Sequence, residues 1–586
     1  MSLSRSMRRR VAVSLLATVA VVGVFTTRLV DLQVVRADAL TQQATKIQKA
    51  SYITYGTRGS IVDANGIVLA DSVQRWNITA APNTFASWAA NPPRGENPST
   101  ALAKIAALTG ADPQEILRAL TADPTKNYVR LVLSVKLATF QKVKALGLAW
   151  LSSEPEPARS YPQGAIAGNL VGFTGTGSTP LAGLELSAQS CLASSNGSTS
   201  YEHGADWVQI PASSRVTKAA KDGGTLKLTL DSDLQWFSQQ ALQEQVLAQG
   251  AKWGTVAVVR IKDGDIVAAA QYPTVDPNDV DATSPENRGA RFFTSPYEPG
   301  SIMKPATVAS LMDAGKLTPY DQVVVPSQYS TGFPAGARIT DVFAHPTMRW
   351  TATGIIEQSS NIGISVISER LPVAQRTAYL KKFGFGSPTA VDFLGESGGL
   401  VQDPASIDVI SDKAQQFGQG ISVTSAQMAG LYQTLGNGGV RVPLTLAEGC
   451  ERPDGTVTDQ PSTEGTRVVS AEAAQNTLLM METVAEYSNI SKIVTIPGYR
   501  IAAKTGTAQV ADPATKAYGK ERNVSVAGIS TVDNPQYAVV VTLGEPTKIK
   551  TSMAAAPVFA AVMKQVIKTY RIPPSTTTPP NIPLTW

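Results

Sequence analysis

Three short motifs with the residue types of acyl-transfer chemistry occur in order along this 586-residue chain. They are Ser301-Ile302-Met303-Lys304, Ser359-Ser360-Asn361 and Lys504-Thr505-Gly506-Thr507. The patterns S-x-x-K, S-x-N and K-T-G, in this order, are typical of enzymes that acylate an active-site serine. Another S-x-N match, residues 194–196, precedes Ser301 in a turn-forming segment, so its position excludes it. The three motifs together predict a serine acyl-transfer enzyme.

The first motif pairs a nucleophile with a base. Residues 301–314 predict a helix that follows Gly300, with Pro305 near the first turn, where proline is tolerated. Lys304 would then lie one turn after Ser301 on the same face. A serine hydroxyl is a weak nucleophile, and a lysine removed from water can lose its proton and act as base. We predict Ser301 as nucleophile and Lys304 as base; the alternative is a lysine on a solvated helix face.

The second motif supplies groups for proton transfer and substrate binding. Ser359 would pass a proton between the nucleophile and the leaving amine. The Asn361 amide would hydrogen-bond the backbone of a peptide-like donor, the alternative being a helix cap. Backbone N–H groups of Ser301 and Thr507 would form the oxyanion hole that stabilises the tetrahedral intermediate.

The third motif predicts a substrate with a negative charge at its C-terminus. Residues 499–503, just before it, predict a short strand, which can bind an extended peptide by edge pairing. Gly506 lets a substrate approach the backbone closely. Lys504 supplies positive charge, and the hydroxyls of Thr505 and Thr507 can hold a terminal carboxylate.

With these motifs the chain resembles the class B, monofunctional penicillin-binding proteins, which are peptidoglycan D,D-transpeptidases. The resemblance covers nearly the whole chain, and the segments outside the motifs that carry it are residues 58–70, 159–162, 172–173, 182–185 and 417–424. Within them, Arg58, Asp63 and Glu185 are expected to organise the domains through ion pairs or hydrogen bonds. Ser360 occupies the middle of S-x-N, a position that varies in this motif.

The resemblance implies an α+β fold in which an antiparallel sheet covered by helices, similar to the serine β-lactamases, follows a mixed, loop-rich pedestal of dimerisation type. Strand patterns at 225–230, 255–261, 266–270 and 537–543, and a helix from Asp231 to Gln249, agree with it. The predicted organisation is a basic tail at 1–10, a transmembrane anchor at 11–32, a pedestal at 36–222, a transpeptidase domain at 225–570 and a flexible, proline-rich tail at 571–586.

The N-terminus predicts an uncleaved membrane anchor. An apolar run from Val11 to Thr27 follows four arginines and can extend through Leu32 to about twenty residues, the length of a spanning helix. The alternative is a cleaved signal peptide, but no small-x-small cleavage site precedes a polar start. Because positive residues stay in the cytoplasm, the remaining chain is expected outside the cytoplasmic membrane.

Composition narrows the remaining possibilities. The net charge of +5 is small for this length and comes largely from the N-terminal arginines, which argues against nucleic-acid binding. His203 and His345 are the two histidines, and no Cys-His cluster predicts a zinc site. We expect no metal or other cofactor. Cys191 and Cys450 either form a disulfide or are free buried thiols, and sequence leaves both open.

The resemblance predicts a transpeptidase that cross-links stem peptides ending in D-Ala-D-Ala, releases D-Ala and is acylated by β-lactam antibiotics. Its expected partners are a membrane-embedded glycan polymerase and the proteins of the division machinery, because the septal type is favoured over the elongation type. Two alternatives are a D,D-carboxypeptidase or β-lactamase, in which water attacks the acyl-enzyme, and a non-enzymatic β-lactam sensor. The chain lacks a Glu-x-x-Leu-Asn segment to position that water.

Overall fold

The computed structural model describes residues 5–93, 95–204, 209–512, 515 and 517–586, without the side chains of residues 43–48 and 176. Residues 1–4 of the predicted basic tail lie outside this range. The strands are β1 Lys49–Thr54, β2 Ile61–Val62, β3 Val68–Ala80, β4 Val129–Val135, β5 Leu151–Ser160, β6 Gly197–Glu202, β7 Arg215–Lys218, β8 Thr225–Leu228, β9 Trp253–Arg260, β10 Ile266–Tyr272, β11 Gln322–Val325, β12 Met348–Thr351, β13 Val440–Arg441, β14 Ala447–Glu451, β15 Val457–Thr458, β16 Thr466–Arg467, β17 Ala502–Ala511, β18 Tyr518–Ile529 and β19 Tyr537–Gly544.

The α-helices make the fold mixed α+β, as predicted. They are α1 Arg5–Val30, α2 Ala37–Gln48, α3 Pro82–Ala90, α4 Pro98–Thr109, α5 Pro113–Thr121, α6 Leu137–Lys144, α7 Gly168–Val171, α8 Gly183–Ser187, α9 Gln189–Leu192, α10 Ser232–Gln249, α11 Arg291–Thr294, α12 Lys304–Asp313, α13 Ala352–Glu357, α14 Asn361–Ser368, α15 Val373–Lys382, α16 Val409–Gln416, α17 Ser425–Gly436, α18 Ala471–Tyr487, α19 Ser491–Val494 and α20 Ala556–Thr569.

The residues up to Thr57 and Ser194–Asp222 form one compact unit. Its first helix, α1, continues as a π-helical turn at Asp31–Val35, and the stretch Arg5–Val35 is long and apolar enough to cross a membrane. None of the residues of α1 is buried against protein. The same unit contains a three-stranded antiparallel sheet in the order β1-β6-β7. The predicted anchor, residues 11–32, therefore lies within one continuous apolar helix.

The second unit, Arg58–Ala193 with Gly223–Trp586, contains a five-stranded antiparallel sheet in the order β10-β9-β19-β18-β17. Side chains alternate between its faces. Along β9, Val256 and Val258 pack into the core formed with α10 and α20, whereas Ala257 and Val259 pack into the core formed with α12, α17 and α18. Helices thus cover both faces, and the predicted β9–β10 hairpin is confirmed.

Capping residues set the ends of the central helices. The Asp231 carboxylate accepts two backbone N–H groups in the first turn of α10, and Gly250, in the left-handed region, ends this helix. Both ends agree with the sequence prediction. The predicted helix at 301–314 differs, because a 3-10 turn, Gly300–Met303, precedes α12.

A seven-stranded sheet contains strands from both sides of the predicted domain boundary. Its order is β15-β14-β8-β2-β3-β4, and β5 pairs with β3. Strand β8 pairs in parallel with β2 and antiparallel with β14. The predicted domain boundary at 222–225 thus falls between two strands of one sheet, β2 and β8. The boundary stays a prediction.

A buried ion-pair cluster holds the segments that were expected to organise the second unit. The Glu185 carboxylate accepts from Arg58 Nε at 2.7 Å and from Arg159 Nε at 2.6 Å, and its side chain is completely buried. Asp63 accepts from the backbone N–H of Ser232 at 3.0 Å. These contacts match the roles predicted for Arg58, Asp63 and Glu185.

The two cysteines of the chain are bonded to each other. Cys191 and Cys450 form a disulfide that links residues 259 positions apart, so the alternative of free thiols is wrong. The first cysteine lies in α9, just after the helix that carries Glu185, and the second lies in β14. The disulfide therefore links β14, which lies between β15 and β8 in the seven-stranded sheet, to the helix that follows Glu185.

The C-terminal residues 571–586, predicted as a flexible tail from their five prolines, make contacts near both ends of the segment. Ile572 and Ile582 are buried, and the Pro583 carbonyl accepts from Thr351 Oγ1 at 2.6 Å. Thr585 forms a β-bridge with Trp350. Proline removes backbone donors but leaves carbonyl acceptors, so a proline-rich segment can still be held by donors of its neighbours.

Candidate active site

Ser301 lies in the 3-10 turn that leads directly into α12. Gly300 has a φ of +60°, and its N–H donates to the Gly418 carbonyl at 2.8 Å. A Cβ atom at Gly300 would lie 2.9 Å from the Thr507 carbonyl carbon and oxygen. Glycine is required here because only it permits this conformation and this close approach to β17. The turn thereby places Ser301 beside the third motif.

Lys304 is completely buried at the start of α12. Its Nζ donates to the Ser359 carbonyl and lies 3.4 Å from Ser359 Oγ. Burial lowers the pKa of Lys304 to about 7, and the Asp341 carboxylate acts in the opposite direction. Because a charged ammonium loses its hydration in this position, the neutral amine is favoured. Lys304 can therefore hold or release a proton near neutral pH, as a general base must.

Lys504 is also completely buried, in β17. Its Nζ donates to Ser359 Oγ at 2.7 Å and to the Thr505 carbonyl at 3.0 Å. Burial and then the charge of Lys304 lower the pKa of Lys504 well below its ordinary value, whereas Glu357 raises it. Two lysines thus compete for protons around one serine hydroxyl.

Ser359 is the point where the first and third motifs meet. It adopts a φ of +56°, which is unusual for a residue other than glycine. In this conformation its hydroxyl lies between the two lysine ammonium groups. Such an arrangement can carry a proton from one side of the hydroxyl to the other. Within the described residues no hydrogen bond reaches the Ser301 hydroxyl, which is half-buried.

The K-T-G motif lies inside an edge strand. Strand β17 pairs with β18 on one side, and in the described sheet no strand covers its other side. The predicted strand at 499–503 is wrong in its bounds, because β17 begins at Ala502 and includes the motif itself. Thr505 and Thr507 are half-exposed, whereas Lys504 and Gly506 are buried. The edge can accept an extended peptide.

Asn361 is the first residue of α14, next to the turn that carries Ser359. Its backbone N–H donates to the Asp341 carboxylate, and its side-chain Nδ2 lies 3.4 Å from the Thr340 carbonyl. The amide is partly exposed. The helix cap itself is Ser360, whose hydroxyl accepts from the Gly363 N–H at 2.8 Å. The cap considered for Asn361 thus belongs to its neighbour, and the Asn361 amide can face a ligand.

Two family models match the chain over most of its length. Residues 53–228 match the penicillin-binding protein dimerisation domain, and residues 254–564 match the penicillin binding protein transpeptidase domain. The penicillin-binding protein PbpB of Mycolicibacterium smegmatis is 32% identical over 97% of this chain and 91% of its own length. The chain belongs to the penicillin-binding protein family.

Other relatives of this penicillin-binding protein agree. The peptidoglycan D,D-transpeptidase FtsI of Escherichia coli is 28% identical over 94% of this chain and 90% of its own length. The crystal structure of penicillin binding protein 3 from Mycobacterium tuberculosis, in complex with aztreonam, superimposes with a TM-score of 0.70 at 27% identity, over 91% of this chain and all of the other. The predicted class B family, transpeptidase class and fold are confirmed.

The penicillin-binding protein also contains site residues that the motifs did not indicate. Asp341 accepts hydrogen bonds from the second motif, and its neighbour His345 donates to it. Glu298 Oε1 accepts from Tyr518 Oη at 2.9 Å and from the Gly420 N–H at 2.9 Å. A lone aspartate and a lone glutamate give no pattern in a single sequence. The position of Glu298 three residues before Ser301 was the available signal for this residue.

Burial of Glu298 has a direct electrostatic consequence. Burial raises the pKa of Glu298, while the hydrogen bonds from Tyr518 and Gly420 lower it. Tyr518 begins β18, the strand that follows the K-T-G strand, and Gly420 lies in the segment that contacts the Ser301 turn through Gly418. Through these two hydrogen bonds, Glu298 connects the Ser301 turn to the first residue of β18.

Proposed function

We propose that this protein is a septal peptidoglycan D,D-transpeptidase and that Ser301 is its nucleophile. The observation that carries the assignment is the buried Lys304, one turn after Ser301, with a pKa of about 7. At that pKa the lysine is partly neutral in physiological conditions and can take the Ser301 proton. The D,D-transpeptidase name of the relative in Escherichia coli supports the substrate class.

In the first half-reaction, Ser301 Oγ attacks the carbonyl carbon of the penultimate D-Ala of a donor stem. Lys304 takes the hydroxyl proton, and the backbone N–H groups of Ser301 and Thr507 stabilise the oxyanion. Ser359 passes a proton to the departing amine. The peptide bond breaks, D-Ala leaves, and the donor remains bound to Ser301 as an ester.

In the second half-reaction, an amine of a neighbouring stem attacks this ester and loses a proton to the Lys304–Ser359 pair. The ester C–O bond breaks, Ser301 Oγ takes a proton from Lys304, and the new amide bond is the cross-link. Lys504, Thr505 and Thr507 bind the terminal carboxylate of the donor, and Asn361 binds its backbone. A β-lactam enters by the same route, but its leaving amine stays tethered, so the acyl-enzyme persists.

Labelling with a fluorescent penicillin tests the nucleophile in the full-length protein. Ser301→Ala should abolish covalent labelling, and Ser359→Ala should slow it strongly. Ser194→Ala is the matched control, because it alters the S-x-N match that the proposed site does not use. Labelling that persists in Ser301→Ala would refute the assignment.

The proposal places the N-terminus in the cytoplasm and the catalytic residues outside the cytoplasmic membrane. The basic N-terminus and the apolar helix Arg5–Val35 support this orientation. A membrane-impermeant thiol reagent should modify a cysteine introduced at Tyr320, which is exposed, but not one introduced at Met7. The opposite pattern would overturn the orientation.

The proposed partners are a membrane-embedded glycan polymerase and division proteins. A transpeptidase needs newly made glycan strands close to it, and an anchored enzyme meets a membrane-bound polymerase without diffusing through the wall. A fluorescent fusion should concentrate at the division site during growth. A uniform lateral pattern would favour the elongation role instead.

A further inference from the structure

The Asp341 carboxylate collects four hydrogen-bond donors from the second motif and its surroundings. Its Oδ1 accepts from the backbone N–H groups of Asn361 and of Ile362, the latter at 3.0 Å. Its Oδ2 accepts from Ser360 Oγ at 2.5 Å and from His345 Nε2 at 3.0 Å. The Asp341 side chain is only 1% exposed. A carboxyl group with four donors and no acceptor is satisfied only as the carboxylate.

The imidazole of His345 faces acceptors on both of its nitrogens. Nδ1 lies 2.6 Å from the Pro346 carbonyl, and Nε2 lies 3.0 Å from Asp341 Oδ2. The ring is 4% exposed and is flanked by Phe343 and Trp350. Packing and hydrogen bonds therefore hold the ring with Nε2 toward the Asp341 carboxylate.

The Asp341 carboxylate is hydrogen-bonded to the turn that follows Ser359, the residue with the strained backbone conformation. Its two backbone donors form the first turn of α14, where the helix dipole favours a negative charge. The residue before this turn is Ser360, and before it stands Ser359 in its left-handed conformation. Such a conformation persists only where the surrounding contacts enforce it. The described contacts that do so from outside α13 and α14 are those of Asp341 and the two lysines.

We propose that Asp341 and His345 form a positioning pair, in which the carboxylate, held by the imidazole, fixes the 359–361 turn so that Ser359 Oγ stays between Lys304 and Lys504. Neither residue needs to touch the substrate. This inference rests on the proposed function, because it concerns the rate at which Ser301 is acylated.

Asp341 also adjusts the pKa of Lys304. Burial lowers the pKa of Lys304 and the Asp341 carboxylate opposes that effect, while Lys504 faces Lys304 and Glu357. Loss of the Asp341 charge should therefore lower the pKa of Lys304 further. Loss of the His345 side chain leaves the Asp341 charge in place and should not shift the pKa of Lys304. A purely structural defect would not separate the two variants in this way.

The test is the pH dependence of penicillin acylation in the full-length protein. The rate should rise with pH as Lys304 becomes neutral. Asp341→Asn should reduce the maximal rate by about tenfold to a hundredfold, the range found for supporting residues around reactive groups, and move the rising limb to lower pH. His345→Gln should reduce the rate less and leave the limb in place, because the Asp341 charge remains.

Asp408→Asn is the matched control. Asp408 caps α16 by accepting two backbone N–H groups, at 2.9 and 3.0 Å. Asp341 likewise accepts two N–H groups from the first turn of α14, but only the Asp341 charge acts on Lys304. This control should leave the rate and the limb unchanged. Unfolding temperatures of all variants identify any that fail to fold; if Asp341→Asn does, the reduced rate of His345→Gln, with its limb in place, decides.

A limb that stays in place in Asp341→Asn, or a normal rate in His345→Gln, would overturn the positioning pair. Persistent labelling of Ser301→Ala would instead refute the proposed nucleophile. The two failures are therefore distinguishable in one set of measurements.

Discussion

Two buried clusters of charge in the second unit differ in how their charges are compensated. Around Glu185, a carboxylate lies between two guanidinium groups, with N–O distances of 2.7 and 2.6 Å. Around Ser359, the amino groups of two lysines lie within hydrogen-bond distance of one hydroxyl. Among the described residues, no carboxylate is within ion-pair distance of either amino group. Both clusters are almost fully buried.

The difference distinguishes charged groups that stabilise the fold from charged groups that can transfer a proton. Burial without a partner makes the charged form costly, so the pKa of each lysine falls and its proton becomes transferable. A carboxylate that accepts from two arginines gains hydrogen bonds in place of its water, and such a cluster is strongly destabilised when one partner is removed. The lysine cluster around Ser359 should therefore control the rate of acylation, and the Glu185 cluster should control stability.

Lys304→Met gives the largest expected effect. Because the variant has no base beside Ser301, acylation by a fluorescent penicillin should fall by about 10²–10⁴-fold. The unfolding temperature should stay the same or rise, since methionine fills the buried volume without an ammonium to desolvate. Near-normal acylation would show that Lys304 is not the base.

Glu185→Gln should have the reverse signature. It leaves two buried arginines without their carboxylate, and the expected loss of unfolding free energy is about 3–5 kcal/mol. Chemical denaturation measures the loss, and the folded fraction should be acylated at the normal rate. If stability is unchanged, the cluster does not hold the unit together.

Loss of the disulfide should also lower the free energy of unfolding, by less than Glu185→Gln, and should not change the acylation rate. Replacing both Cys191 and Cys450 with serine is expected to cost about 2–5 kcal/mol, because the bond closes a long loop in the unfolded chain. Denaturation of this variant and of the oxidised wild type provides the measurement. Equal midpoints would contradict the expectation, and acylation of the folded variant should be unaffected.

The smallest expected change is produced by pH alone. Lys304, with a pKa of about 7, is protonated below that value and cannot accept the Ser301 proton. Acylation should therefore rise about tenfold per pH unit below 7 and level off above it. Glu185→Gln should keep the same profile. A flat profile from about pH 5.5 to 8.5 would exclude a lysine base with this pKa.

The elements with local signals were predictable from the sequence. Asp231 and Gly250 bracket α10 because capping is set by nearby residues, and the β9–β10 hairpin follows from two apolar runs separated by the turn residues 262–265. The bounds of β17 were not predictable, since an edge strand with a polar motif lacks the apolar pattern. The contacts of the C-terminal residues were not predictable either, because their donors lie far along the chain.

The sequence was sufficient to predict the reactive residues of the candidate site. It was not sufficient to predict the residues that hold them in position. The spacing of the motifs was sufficient to select Ser301, Lys304 and Lys504, whose functions belong to their residue types. Asp341 meets the second motif only in the folded chain, and nothing in its local sequence distinguishes it from exposed aspartates. The disulfide required the Cα positions of its cysteines, 5.7 Å apart, which no spacing gives.

The left-handed conformation of Ser359 narrows the evolutionary routes open to this enzyme. Threonine would keep the hydroxyl, but its branched Cβ disfavours this backbone region. Glycine and asparagine accept the backbone conformation, yet neither carries a hydroxyl. No single substitution at position 359 satisfies both demands. Substitutions that confer drug resistance should therefore occur in the segments around Ser359 and not at Ser359 itself. In those segments a side chain can change while the Ser359 hydroxyl keeps its position.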